Sequence, residues 1–259
     1  FAISNFGTFN TDLTATPKKN AGYLMLDPGS GLRIKKIKVV SSAGSTVDSL
    51  YVWTNKNIWK IQPIQGTAGV NDDGSINHYL QVIVDGRGTA SAKSVIQVGN
   101  DNKFYDFDNI YSLGEMAQFQ NIRVSTLSGR IKSEIEDVAI AGKSKVAMGF
   151  FKDKMWFSYQ KGSYNDRIVI YDVRLNAWST PFEGLNIGWF LDFVETDGTH
   201  RWLGGSSNSD DSYVYELATG TDDASTAISA EFQTKSVDGG SPGLLKRYAF
   251  IDVFYAMLY

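Results

Sequence analysis

Three groups of acids carry the residue types that general acid–base chemistry uses: Asn71-Asp-Asp-Gly74, Glu134 with Glu136 and Asp137, and Asp210-Asp211 with Asp222-Asp223. Cleaving a glycosidic bond needs two carboxylates flanking it, one to protonate the leaving oxygen and one to attack or to activate water. A pair such as Glu134 and Asp137 would serve, and Glu134→Gln would then abolish activity. Most of these acids lie among Gly, Ser and Asn, where a carboxylate commonly solvates a turn, and that reading is preferred. Asn71–Gly74 and Ser209–Ser212 also offer oxygen ligands for calcium, but neither fits an EF-hand loop.

Other catalytic vocabulary is sparse. The two histidines, His78 and His200, stand at no ligand spacing from each other and support no Ser-His-Asp arrangement. Cysteine is absent, which removes disulfides, thiolate metal sites and thiol nucleophiles. There is no G-x-S-x-G elbow, phosphate-binding P-loop or dinucleotide fingerprint. No catalytic residue, metal or cofactor is therefore assigned. A formal charge of -3 argues against a broad cationic face for nucleic acid. The one notable basic cluster, Lys35, Lys36 and Lys38, alternates with Ile34, Ile37 and Val39. It reads as solvent-facing lysines on an edge strand in preference to a phosphate site.

The elements that would position these groups are strands. Aromatic residues are plentiful, with 25 glycines and five prolines, and apolar residues keep helical spacing for no more than a couple of turns. The exception is Asp108 to Phe119, where Leu113, Met116 and Phe119 would share one face of a short helix or anchor a long loop. In Arg167-Ile-Val-Ile-Tyr-Asp-Val-Arg-Leu-Asn-Ala-Trp-Ser-Thr180, Ile168 and Ile170 alternate with Val169 and Tyr171, predicting a strand buried on both faces. Asp172 and Asn176 bracket the turn after it, and Trp178 opens the next strand as a core wedge. With Lys154–Tyr159 upstream, this is an antiparallel hairpin with a third strand to come.

The pattern recurs. Leu50–Ile61, Val95–Phe107, Lys154–Val173 and Arg201–Leu217 each hold a strand, a polar turn and a second aromatic strand. Tyr51, Ile96, Trp156 and Trp202 repeat at blade-length intervals, so each hairpin is expected to be the middle of a four-stranded propeller blade. Such a sheet cannot bury both faces alone, and its aromatic residues must pack on its neighbours. The expected blade core is Tyr51, Trp53, Trp59, Tyr105, Trp156, Tyr171, Trp178, Trp202, Tyr213 and Tyr215. Unrelated hairpins in a β-sandwich are the alternative architecture. Further degenerate blades would fall around Ile122 to Ile140 or Phe1 to Met25.

The fold class is thus all-β, a β-propeller of four-stranded blades followed by closing strands or the start of a β-sandwich. Three parts are expected: an N-terminal extended segment over 1–33, propeller blades over 34–225, and a truncated second β domain or closing strands over 226–259. The opening Phe1-Ala-Ile-Ser-Asn shows neither an initiator methionine nor a signal pattern, and Ala249–Tyr259 ends inside an apolar run, so a processed chain or a fragment is expected. No apolar run has the length of a membrane span.

Trp156-Phe-Ser-Tyr, Ile168-Val-Ile-Tyr-Asp-Val and Asn176-Ala-Trp178 resemble a kelch-type blade, as does Gly204-Gly205 followed by Tyr213-Val-Tyr215. Thr196-Asp-Gly-Thr-His-Arg-Trp202 compares with the Asp-box of sialidases but departs from it in the spacing from glycine to aromatic residue. The closer resemblance, over Leu50 to Tyr255, is to the β-propeller proteins of tailed-bacteriophage tails, of the tubular, nozzle or head-to-tail stabilisation type. In these the strand, Tyr-Asp, turn and Trp unit precedes a domain opening with a Phe-x-Thr-Lys strand. Phe232-Gln-Thr-Lys235, Pro242, Leu245-Lys-Arg-Tyr248 and Ile251-Asp-Val-Phe-Tyr255 keep that order. The resemblance implies a non-enzymatic virion protein, assembled in the bacterial host cytoplasm. It would form a homo-oligomeric ring with other tail proteins around the DNA exit channel, through which viral DNA passes without specific binding. The competing expectation is a glycan-binding or glycan-hydrolysing propeller, or a kelch-like module that binds a protein.

Overall fold

A computed structural model describes residues 30–40, 49–63, 78–99, 101–116, 121–210 and 213–219, with the short pieces 2–3, 22–23, 26, 222–223 and 226–227. The chain forms two compact units, Phe1–Ala218 and Thr219–Tyr259. Of the second unit, one short ladder is described, β19 (Asp222–Asp223) with β20 (Thr226–Ala227). Most of the segments 1–33 and 226–259 lies outside the described residues. So do Asn71–Gly74, Asp211, Phe232–Lys235 and Tyr248–Tyr255.

In the first unit a short ladder pairs β1 (Ala2–Ile3) with β2 (Gly22–Tyr23), and four antiparallel sheets come after it in chain order. The first is β3 (Ile34–Val40), β4 (Ser49–Thr54), β5 (Ile58–Pro63) and β6 (His78–Val84). The second is β7 (Val95–Val98), β8 (Asp101–Asp106), β9 (Asn109–Met116) and β10 (Asn121–Thr126). The third is β11 (Ala147–Phe151), β12 (Lys154–Tyr159), β13 (Arg167–Asp172) and β14 (Ala177–Trp178), with β15 (Phe182–Glu183) also on β13. The fourth is β16 (Ile187–Val194), β17 (His200–Ser206) and β18 (Val214–Leu217). Each is a meander in which successive strands pair. The protein is all-β, with one α-helical turn among the described residues, α1 (Lys132–Glu136).

The cores lie between successive sheets. Tyr51, Trp53 and Ile58 of the first sheet meet Val95, Phe104, Tyr111 and Leu113 of the second. Tyr105 and Ile110, on the other face of the second sheet, meet Met155, Phe157, Tyr159, Val169 and Tyr171 of the third. Phe151 and Ile168, from the third sheet's opposite face, meet Ile187, Trp202 and Leu217 of the fourth. Side chains alternate across a strand, so two neighbours require apolar residues at both parities. Ile168 and Val169 of β13, buried towards opposite neighbours, meet that requirement. Among the described residues no core cluster joins the fourth sheet back to the first, and a closed propeller is not formed by them.

The turn after β13 forms as its polar residues dictate. Asp172 Oδ1 accepts the backbone N–H groups of Arg174 and Leu175, both at 2.9 Å. Asn176 takes a left-handed φ of 51°, which asparagine tolerates better than most residues, and its Oδ1 accepts the Tyr171 hydroxyl at 2.6 Å.

Two expectations need correction. Over the described part of Asp108 to Phe119 no helix forms: Asn109–Met116 is β9, whose two neighbours bury Ile110 on one side and Tyr111 on the other, and Phe119 lies outside the described residues. Ile96 lies on the first strand of its sheet, so Val95–Phe107 spans the first two strands and is not the middle of that sheet. The residue on the second strand that matches Tyr51 in facing the first interface is Phe104.

Candidate functional site

The connection between the second and third sheets holds the acids considered for hydrolysis. Glu134 lies in α1, and its Oε2 accepts the hydroxyl of buried Tyr159 at 2.6 Å. Burial, reinforced by this hydrogen bond, raises the Tyr159 pKa, so the phenol stays protonated and donates. Asp137, at the end of the same turn, pairs with Lys161 at 2.5 Å. Both carboxylates thus lie three residues apart on one helical turn, each bound to a residue in β12 or just after it. They brace the connection and do not face each other across a cleft.

Acids of the fourth sheet and its turns are also held locally. Asp197 Oδ1 accepts the Thr199 N–H at 2.8 Å in the turn between β16 and β17, a bond that lowers the Asp197 pKa. His200 Nδ1 lies 3.0 Å from Asp192 across the same hairpin. Arg201 of β17 donates to Glu195, just after β16, and to Glu216 of β18, at 2.5 and 2.8 Å. Asp210 lies in a turn where its backbone N–H donates to Asn208 Oδ1 at 3.0 Å. No His, Asp and Glu group able to hold a metal occurs among the described residues.

Of the residues expected in the blade core, Tyr51, Trp53, Tyr105, Tyr171 and Trp202 are buried, whereas Trp59, Trp156, Trp178 and Tyr215 are half-buried. Tyr213 lies outside the core, 62% exposed, because it precedes the edge strand β18, where its ring lies 6.2 Å from that of Tyr215. Trp178 wedges between the third sheet and the connection before it, its ring 5.0 Å from that of Tyr171 and its Nε1 donating to the Leu127 carbonyl at 3.3 Å. Trp202 is sandwiched between Phe151 and Phe190, with centroids 5.3 and 5.4 Å away. Gly149, Gly204 and Gly205 make room for this region. A Cβ on Gly205 would collide with the Trp189 indole, and one on Gly204 would stand 2.8 Å from Leu217. The double glycine therefore has a packing role.

Sequence reasoning missed the outer face of the fourth sheet. The register places Leu191 beside Leu203, Phe193 beside Arg201, and Trp189 beside Gly205 and Val214 on the face away from the third sheet. Leu191, Phe193 and Val214 are 45%, 47% and 58% exposed. The run Trp189-Phe-Leu-Asp-Phe193 signals this, since it is apolar at both parities and so needs cover on both faces.

The basic cluster on β3 is only partly solvent-facing. β3 is an edge strand and Lys36 is exposed, but Lys38 is half-buried, and burial followed by repulsion from Lys36 lowers its pKa to about 8. Lys38 pairs with Tyr51, and Tyr51 with buried Lys60, whose Nζ lies 5.9 Å from the Tyr51 ring centre. Among the described residues no helix is long and apolar enough to cross a membrane. No protein-family model matches the chain, and no curated protein sequence matches it.

Proposed function

We propose that this chain is a non-enzymatic structural component of a bacteriophage tail, contributing propeller blades to an oligomeric nozzle or tubular ring around the DNA exit channel. The observation that carries this reading is the succession of four meanders packed face to face, with Leu191, Phe193 and Val214 exposed on the outer face of the fourth. Stacked sheets of this kind form a rigid module with short edges, suited to repeated placement around a symmetry axis. The resemblance over Leu50 to Tyr255 supplies the virion context, and the first strand β11, which approaches the first strands β7 and β16 of the sheets on either side, agrees with blades that converge on a hub. Hydrogen bonds reinforce that convergence: the Lys93 carbonyl accepts the Met148 N–H at 3.0 Å, and Lys93 Nζ donates to the Gly188 carbonyl at 2.9 Å.

In this reading the protein works with other tail proteins in the virion, and DNA passes without sequence recognition. A glycan-hydrolysing propeller has less support, because Glu134 and Asp137 are engaged in holding α1 to the third sheet. Negative-stain electron microscopy of the purified protein, classified for rotational symmetry, tests the proposal. Rings with a central opening are expected. Monodisperse single particles at micromolar concentration, together with turnover of a glycan substrate that Glu134→Gln removes, would overturn it.

A further inference from the structure

We infer that Asp85, at the start of the connection from the first sheet to the second, is a modification site: the chain converts it spontaneously to isoaspartate. The Gly86 amide nitrogen attacks Asp85 Cγ while the carboxyl is protonated. A C–N bond forms, the nitrogen gives up its proton, and the carboxyl hydroxyl leaves as water. Water then opens the cyclic imide at either carbonyl, restoring aspartate at one and leaving the main chain to run through Cγ at the other. The water released in the first step is regained in the second, and no other reactant is needed.

Local geometry selects this residue. Asp85 and Gly86 are both exposed, and the Gly86 N–H donates to Asp85 Oδ1 at 2.9 Å, which sets the attacking nitrogen against the carboxyl it must reach. The same N–H also donates to Asn57 Oδ1 at 3.1 Å, which holds it in this turn. Gly86 has a φ of 74° and open space where a Cβ would stand, so nothing obstructs ring closure. Two other aspartates give the contrast. Asp197-Gly198, in the turn between β16 and β17, is also exposed, but the Gly198 N–H donates to the Glu195 carbonyl at 3.0 Å and Asp197 Oδ1 accepts the Thr199 N–H at 2.8 Å. Nitrogen and carboxylate are thereby directed to different partners, and the Thr199 bond, by lowering the Asp197 pKa, makes the protonated form scarcer. Asp106 accepts the Phe107 N–H at 2.9 Å, yet it is half-buried and the Phe107 side chain hinders the approach. Asp73-Gly74 and Asp238-Gly239 lie outside the described residues. The connection has little slack for an added main-chain atom: a Cβ on Gly88 would collide with the Thr54 carbonyl, which also accepts the Thr89 N–H at 2.8 Å.

Incubating the folded protein in heavy-oxygen water at mildly acidic pH tests this, because each passage through the imide leaves heavy oxygen in the residue. Mass spectrometry of the peptides carrying Asp85, Asp106 and Asp197 reads the uptake. Asp85 should take up label about fivefold faster than either of the others, and should accumulate isoaspartate first. In urea the Asp85 and Asp197 rates should converge, since only the fold distinguishes the two Asp-Gly pairs. Asp85→Glu, which keeps the charge but would need a larger ring, should abolish uptake at that position. No uptake at Asp85, uptake at Asp197 that matches it in the folded protein, or a preference for Asp85 that persists in urea would each overturn the inference.

Discussion

Substituting Gly149 by alanine tests the packing between the third and fourth sheets at its tightest point. A Cβ there would lie 2.5 Å from Phe190 Cβ and 2.7 Å from Trp202 Cζ2, against the roughly 3.5–4 Å at which carbon atoms rest. Relief requires a shift of about 1 Å. Trp202 cannot supply it cheaply, since Phe151 and Phe190 hold both faces of its indole at stacking distance. Overpacking of a filled core costs about 1–3 kcal/mol, and the confinement of Trp202 places Gly149→Ala near the top of that range. Trp202→Ala alone should cost about 3–5 kcal/mol. In the double variant the indole is gone and only the Phe190 contact remains, so Gly149→Ala should then cost at least about 1 kcal/mol less than in the wild-type background. Urea unfolding of the four proteins, monitored by far-UV circular dichroism with the denaturant slopes compared, gives the cycle. Additivity to within about 0.5 kcal/mol would refute the claim that Gly149 exists to admit Trp202.

Trp178→Ala should destabilise by about 2–3 kcal/mol, below the figure for a fully buried tryptophan, and urea midpoints measure it. A loss under about 1 kcal/mol would mean that the wedge is not formed. Burial raises the Asp106 pKa to about 6 from 3.8, so the folded protein binds the extra proton between these values and stability falls as pH rises from about 4 to 6. Asp106→Asn should abolish that slope in thermal melts and stabilise by about 1 kcal/mol at pH 7, after allowing for screening at a partly exposed group. For Lys38 the folded pKa lies near 8, below its unfolded value of 10.5. The folded state then binds fewer protons between about 8 and 10.5, stability rises with pH across that window, and Lys38→Met should remove about 1 kcal/mol of the rise after the same allowance.

Strand β13 was legible because both of its faces are buried and its turn uses Asp172 and Asn176 in their ordinary roles. The β8–β9 hairpin was harder to read. Leu113 and Met116 happen to stand at helical spacing, and nothing local says that Ile110 and Tyr111 will each find a different neighbouring sheet. Tyr213 looks like Tyr215 in sequence, but only the second lies within a strand. Lys38 was read as solvated because alternation identifies its face, not how closely the second sheet covers that face. The acids of α1 were visible as a cluster, whereas their engagement by Tyr159 and Lys161 depends on residues 25 and 24 positions away.

Because each sheet is a meander and its core is shared with the next in chain order, the assembly can grow as the polypeptide is made. One sheet can close its own hydrogen bonds before its successor emerges, and the contacts that complete its core arrive after a modest delay. At every stage the newest sheet presents an uncovered apolar face as a template for its successor. The face bearing Leu191, Phe193 and Val214, exposed among the described residues, corresponds to the face that each earlier sheet turns to its successor.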